Sequence, residues 1–298
     1  MSTRSSDRPL MPRARKRFGQ NFLHDAGVIS RIVRAIAPRA GDRLVEIGPG
    51  QGALTGPILE AAGALEVIEL DRDLIPGLRV QFYDYPDFTI HEGDALKFDF
   101  HELSQQGGRP LRVVGNLPYN ISTPLIFHLL AARGAIVDMH FMLQKEVVER
   151  LAAEPGGPDW GRLSVMTQYH CQVESLFVVP PGAFVPQPKV DSAIVRLTPF
   201  AELPSPARDE AHFADVVRQA FGQRRKTLRN NLKGTIDADA LESLGIDPGR
   251  RPQTLRVDEL VAISNHLTGN PSTSADSTDT DTDTDTDSMG NPATEKAP

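Results

Sequence analysis

Residues Leu111 to Pro124 read LRVVGNLPYNISTP, a short apolar run that stops at Gly115 and delivers Asn116, Leu117, Pro118 and Tyr119 into a tight turn. Proline fixes φ and removes a backbone donor, so such a turn is stiff. At the end of a strand it sets an amide oxygen and backbone carbonyls beside a flat aromatic ring. That combination suits a planar, amine-bearing ligand such as a nucleobase, with acceptors for the amine hydrogens and a face on which the ring can stack.

A second constellation lies upstream. RLVEIGPGQGALT is a buried strand, Leu44 to Ile47, running into Gly48, Gly50 and Gly52, with a helix expected from about Leu54. Glycines at alternate positions let the backbone turn sharply and lie against a ligand. LEVIEL carries Glu69 at its end, just before Leu70 and about twenty residues on, where an acid can bind ribose hydroxyls. FTIHEGDAL then places Asp94 at a third strand end, either accepting from an adenine amine or simply capping a helix. The loop lacks the lysine of a phosphate-binding P-loop, which favours a nucleoside without phosphates. S-adenosylmethionine fits this edge better than ATP or NAD.

Around these motifs the chain alternates strand and helix. Val28, Ile29, Ile32, Val33 and Ile36 recur at helical spacing before Pro38, and GQNFL precedes them as a loop. LRVVG feeds the Asn-Leu-Pro-Tyr turn, and Ser122 or Thr123 is expected to cap the next helix, which runs through Ala131. Ile136 to Gln144 is a long strand, Leu163 to His170 a helix, and VESLFVV and VDSAIVRLTP two further strands. The loop between those strands sets Phe184 among prolines, where an exposed ring would give a second stacking surface and a buried one a plug. Trp160 and Cys171 read as packing residues. The alternation predicts an α/β fold with a mostly parallel, doubly wound sheet.

A composition shift at PFAELPSPARDE marks a linker, and residues 208 to 268 carry only helical patterns. The net charge of −7 is concentrated beyond residue 269, where seven acids and one base carry −6 and leave −1 on the body. Residues 1 to 17 hold six bases against one acid, and residues 216 to 236 hold six against none. Two basic patches on a near-neutral body predict a polyanionic partner. In FGQRRKTLRNNL, Arg224, Arg225, Lys226 and Arg229 are the candidate phosphate contacts, presented near a helix N-terminus with Asn230 and Asn231. One cysteine and eight scattered histidines offer no metal-ligand spacing, so no metal is expected. No stretch is apolar enough to span a membrane and no secretory signal is visible, so a cytoplasmic protein is expected.

As a set, GQNFL, VEIGPGQGALT, VIELDRDL, GDAL, NLPYNIST, MLQKEVVERL, FVPQPKVDSAIVRL and FGQRRKTLRNNL resemble the ribosomal RNA adenine dimethyltransferases, most closely the bacterial small-subunit branch. The resemblance covers about residues 15 to 268. It implies a class I S-adenosylmethionine-dependent methyltransferase (Rossmann-like) sheet of seven strands with the last antiparallel, plus a small all-α C-terminal domain. The expected organisation is a basic arm (1–17), a catalytic domain (18–200), a helical RNA-binding domain (201–269) and a disordered acidic tail (270–298). Carried over by motif, the cofactor contacts would be Asn21, Leu23, Gly48, Glu69, Asp94 and Asn116. The target base would meet Asn116, Leu117, Pro118, Tyr119 and Phe184. The implied reaction dimethylates N6 of two adjacent adenosines near the 3′ end of 16S rRNA. The implied partner is an immature small ribosomal subunit, met by a monomer.

Two other readings compete. A large-subunit (23S) rRNA methyltransferase shares an NLPY-like turn, but KVDSAIVRL and RRKTLRNNL together favour the small-subunit branch. A non-catalytic RNA-binding assembly factor is the other, compatible with catalysis. DNA adenine methylation is disfavoured, since no separate sequence-reading domain is visible. A like-charged tail would repel RNA, so deleting residues 270 to 298 is expected to change RNA binding at low salt and little at high salt. An unchanged salt dependence in a titration of the two forms would exclude an electrostatic role.

Overall fold

The computed structural model describes residues 20–269; the basic arm and the acidic tail expected at either end lie outside the described residues. The chain opens with β1 (Phe22–Leu23) and α1 (Ala26–Ile36), then β2 (Leu44–Ile47), α2 (Thr55–Ala62), β3 (Leu65–Glu69) and α3 (Ile75–Gln81). It continues through β4 (Phe88–Glu92), α4 (Phe100–Gly107), β5 (Leu111–Asn116), α5 (Ser122–Ala131), β6 (Ile136–Gln144), α6 (Lys145–Leu151) and α7 (Arg162–His170). Then come β7 (Cys171–Val179), β8 (Phe184–Val185) and β9 (Ser192–Pro199), and finally α8 (Glu210–Ala220), α9 (Leu228–Asn231), α10 (Ala238–Ser243) and α11 (Val257–Gly269).

Seven strands form one sheet in the order β4-β3-β2-β5-β6-β9-β7. The five from β4 to β6 run parallel, and β9 lies antiparallel between β6 and β7. The last strand in sequence is therefore the one that runs against the rest, as the resemblance implied. Because the parallel strands are covered on both faces, β2 and β5 are mostly apolar, broken only by Glu46, Arg112 and Asn116, and need no alternation. On one face Phe100, Leu103, Leu125, Leu129, Val148 and Leu151 pack from α4, α5 and α6. On the other, Ile32, Ile36, Ile58, Leu59 and Leu78 pack from α1, α2 and α3. Each fully buried Leu or Ile contributes roughly 1.5–3 kcal/mol relative to exposure, so these two faces dominate the stability.

Local chemistry sets the element ends. Asp25 caps α1 by accepting from the Val28 N–H at 2.9 Å, and α1 stops at Ala37, which turns left-handed at φ 48° ahead of Pro38. Arg112 binds Asp138 Oδ2 at 2.9 Å, Asp42 Oδ2 at 2.6 Å and the Ile36 carbonyl at 2.6 Å, so one guanidinium ties β5 to β6 and to the carbonyl end of α1. The expected Ser122 or Thr123 cap is not formed. Helix α5 begins after Ile121 without a side-chain cap, because the Ser122 hydroxyl donates to the Tyr119 carbonyl at 3.1 Å.

The C-terminal helices do not stand apart. Trp160, Val165, Met166 and Tyr169, from α7 and the loop before it, share a buried core with Phe213, Val217, Leu228, Leu241 and Leu260. Trp160 donates Nε1–H to the Leu255 carbonyl at 2.9 Å, as befits a packing residue. Arg133, just past α5, forks onto both Glu210 oxygens at 2.7 and 2.9 Å at the start of α8. Cys171 is buried, and burial pushes its thiol up to about 12. No helix among the described residues is long and apolar enough to cross a membrane.

Candidate active site

The ends of β2, β3 and β5, with the short strand β1 laid across them, enclose one cavity. Asn21, Leu23, Gly48, Glu69, Asp94 and Asn116 all line it, together with Leu117, Pro118 and Tyr119. Nine of the ten expected cofactor and target residues therefore meet in one place.

On the glycine-loop side, Gly50 adopts φ +59°, and a Cβ there would lie 3.2 Å from the Phe22 ring; Gly52 adopts φ +81°, and its Cβ would lie 2.8 Å from Phe82. Both positions demand glycine for conformation and for space. Glu69 is buried and accepts from the Asp71 N–H at 2.8 Å and the Gly50 N–H at 3.3 Å. Burial pushes its carboxyl above the usual carboxylate range, the two N–H donors pull it back, and the charge of Asp71 raises it again. Asp94 accepts from the Leu96 N–H at 3.0 Å through Oδ1, so it does cap the short turn that follows, while also lining the cavity.

On the turn side, the Leu117 N–H donates to the Met142 carbonyl at 3.2 Å, pinning the turn to the end of β6. Asn116 donates Nδ2–H to the Asn21 carbonyl at 3.1 Å. A carbonyl can only accept, so this bond fixes the amide orientation and leaves Oδ1 to accept from a ligand. The Tyr119 hydroxyl meets the Ser192 hydroxyl at 3.0 Å, and the half-buried phenol is pushed upward by burial.

Phe184 is the exception. It is 1% exposed, packed among Leu23, Ile194 and Val179, and does not line the cavity. The expected second stacking surface is thus a core residue. The cause is non-local: β8 pairs with β1 so that Leu23 lies opposite Phe184, and this pairing buries the ring. The basic segment differs as well. Residues 222–226 form turns, and only Leu228–Asn231 is helical. Asn231 is spent on that turn, accepting from the Gln223 N–H and donating to the Gln223 and Lys226 carbonyls. Arg224, Arg225, Lys226 and Arg229 are exposed and form no ion pair among the described residues.

Among the cavity residues to which the sequence reading gave no role, three bear on its chemistry. Leu70, half exposed, follows Glu69. Asp71 accepts from Gln20 Nε2 at 3.1 Å, which closes the N-terminal loop over the cavity. Glu46 is buried within β2, accepts from the Thr55 hydroxyl at 2.6 Å, and is pushed up to about 7 by burial. An acid inside an apolar strand was the available signal for Glu46. Glu69, Asp71 and Asp94 make the cavity acidic, a field that fits a cationic sulfonium rather than a phosphate.

A seven-stranded sheet with its last strand reversed, a glycine loop leaving β2 and an Asn-Leu-Pro-Tyr turn leaving β5 define a class I methyltransferase. The family model described as ribosomal RNA adenine dimethylase matches residues 11–269, and the chain belongs to that family. It is 72% identical over 269 residues to ribosomal RNA small subunit methyltransferase A of Chromohalobacter salexigens, covering 89% of this chain and 95% of that one. The protein of the same name from Pseudomonas aeruginosa is 64% identical, covering 87% and 96%. Among solved structures, a dimethyladenosine transferase from Plasmodium falciparum superposes with a TM-score of 0.71 at 26% identity over 83% of this chain and 98% of that one. The 23S rRNA methyltransferase ErmE gives 0.67 at 26% identity, covering 83% and 100%. Family membership implies S-adenosylmethionine as the methyl donor, and the acidic, glycine-walled lining fits it.

The raised Glu46 pKa has a consequence for stability. Its protonated form is favoured in the fold, so this contribution is complete below the unfolded value near 4.5 and is lost as pH rises through about 7. Glu46→Gln is therefore expected to match the parent near pH 4.5 and to exceed it at pH 8, on the order of 2–3 kcal/mol. Thermal melts across that range check it, and parallel curves would contradict it.

Proposed function

We propose that this protein uses S-adenosylmethionine to dimethylate N6 of two adjacent adenosines near the 3′ end of 16S rRNA. Its substrate in this reading is a partly assembled small subunit, which it meets as a monomer in the cytoplasm, and the reaction contributes to small-subunit biogenesis. The observation that carries the chemistry is the Asn116 amide, held through Nδ2 so that Oδ1 is an acceptor at the edge of an acidic donor cavity. The relatives named for the small subunit support the choice of RNA.

Adenine N6 is a weak nucleophile because its lone pair is delocalised into the ring. The bound donor supplies a methyl already activated on a cationic sulfur, so the protein needs little acid–base catalysis. Its task is alignment and the pyramidalisation of N6. Asn116 Oδ1 and the Leu117 carbonyl accept from the N6 hydrogens, Pro118 stiffens the turn, and Tyr119 stacks on the target ring. The base must leave its own stack to reach them. Asn21, Leu23, Gly48, Glu69 and Asp94 hold the donor. Arg224, Arg225 and Lys226 of the turn and Arg229 of α9, all exposed and without an ion pair among the described residues, bind the phosphates of the surrounding RNA.

The test is incubation of the protein with labelled S-adenosylmethionine and small subunits lacking the modification. Label is expected in N6,N6-dimethyladenine of 16S rRNA, and Asn116→Ala is expected to lower the rate about 100-fold. Label confined to 23S rRNA, or none in adenine, would sink the reading. Replacing Arg224, Arg225 and Lys226 with alanine is expected to weaken subunit binding and to flatten its log–log salt slope by roughly 2 to 3. An unaltered slope in filter binding would place the phosphate contacts elsewhere.

A further inference from the structure

Tyr119 is held both at its backbone and at the tip of its side chain. Its carbonyl accepts from the Ser122 hydroxyl at 3.1 Å, and its own hydroxyl meets Ser192 Oγ at 3.0 Å. Ser192 is fully buried and is the first residue of β9, registered opposite Gln144 of β6 on one side and Val179 of β7 on the other. It is thus fixed by sheet pairing on both flanks. The backbone carbonyl of its neighbour Asp191 accepts from the Lys145 N–H at 2.9 Å, which secures the same corner to the start of α6. The contact therefore runs from the turn after β5, past the end of β6, to the start of β9, and joins the turn to a strand that is paired on both sides.

We propose that Ser192 is a positioning residue for the acceptor base, acting through the Tyr119 hydroxyl to fix the plane and height of the ring on which the target adenine stacks. The inference rests on the reading of Tyr119 as that stacking surface.

Dimethylation makes the role asymmetric between the two transfers. Unmethylated N6 carries two hydrogens, and acceptors at Asn116 and Leu117 can hold both. After the first transfer one hydrogen remains, so one of those holds is lost. The position of the ring then depends more on stacking, and hence on how firmly Tyr119 is held. Loosening Tyr119 is expected to slow the second methylation more than the first.

The experiment measures monomethyl- and dimethyladenine by mass spectrometry after reaction with undermethylated small subunits, alongside kcat and the KM for S-adenosylmethionine. The chains are the parent, Ser192→Ala, Tyr119→Phe, their combination, Ser192→Thr and Tyr119→Ala. Ser192→Ala and Tyr119→Phe are each expected to raise the monomethyl share several-fold and lower kcat, with the cofactor KM within about twofold. The combination is expected to be no worse than either alone, because both remove one shared hydrogen bond. Ser192→Thr keeps the hydroxyl and is expected to restore the product ratio. A parental product ratio and kcat in Ser192→Ala, while Tyr119→Ala abolishes transfer, would overturn the inference and leave the stacking role intact. Unimpaired transfer by Tyr119→Ala would remove the stacking role and the inference with it.

Discussion

The site depends on how closely β5 approaches β2. A Cβ added at Gly115 would lie 2.6 Å from the Ile47 carbonyl oxygen and 3.1 Å from the Leu117 side chain. Only glycine lets the two strands finish side by side, and what leaves each of them is half of the chemistry. From β2 comes the glycine loop that walls the cavity; from β5 comes the turn that carries Asn116 and Tyr119. Ligand sites at the carboxyl ends of parallel strands are the general rule of this architecture. Here the rule is sharpened to a contact between one glycine and one carbonyl. A misplacement of about 1 Å between reacting groups can cost 100-fold in rate, which makes a backbone contact a better ruler than a side chain.

The same strand ends are bound together by N-terminal residues that belong to neither strand. The Asn21 carbonyl orients Asn116, Gln20 reaches Asp71, and Phe22 packs against Gly50, so one short segment touches the glycine-loop wall and the turn at once. The C-terminal helices are joined as firmly. Through the core shared with α7 and the Arg133–Glu210 fork, the exposed basic turn at 222–226 is carried on a body continuous with the methyltransferase sheet.

Much of this was legible in the sequence because its signals are local. Leu44 to Ile47 is apolar but for one acid and is closed by Gly48, and the strand has those limits; Glu69 and Asp94 end short runs and fall on the cavity edge. What was not legible is non-local. Phe184 looked exposed because its neighbours are prolines, but the pairing of β8 with β1, about 160 residues earlier, puts Leu23 against it. Asn231 looked available because its local sequence is polar, yet it closes the turn at Gln223. Ser122 had the chemistry of a helix cap and is used instead on the Tyr119 carbonyl, a competition between two nearby acceptors that residue type alone does not decide. Glu46 was overlooked because a single acid barely alters an apolar strand pattern, whereas its partner Thr55 comes from the following helix.

The most direct test of the account is a structure of the protein bound to S-adenosylhomocysteine and an RNA hairpin bearing the two target adenosines. The account predicts one adenine out of its stack, lying on Tyr119, with N6 within about 3.2 Å of Asn116 Oδ1 and facing the sulfur across the gap between β2 and β5. An adenine seated away from Tyr119, or N6 turned from Asn116, would contradict it.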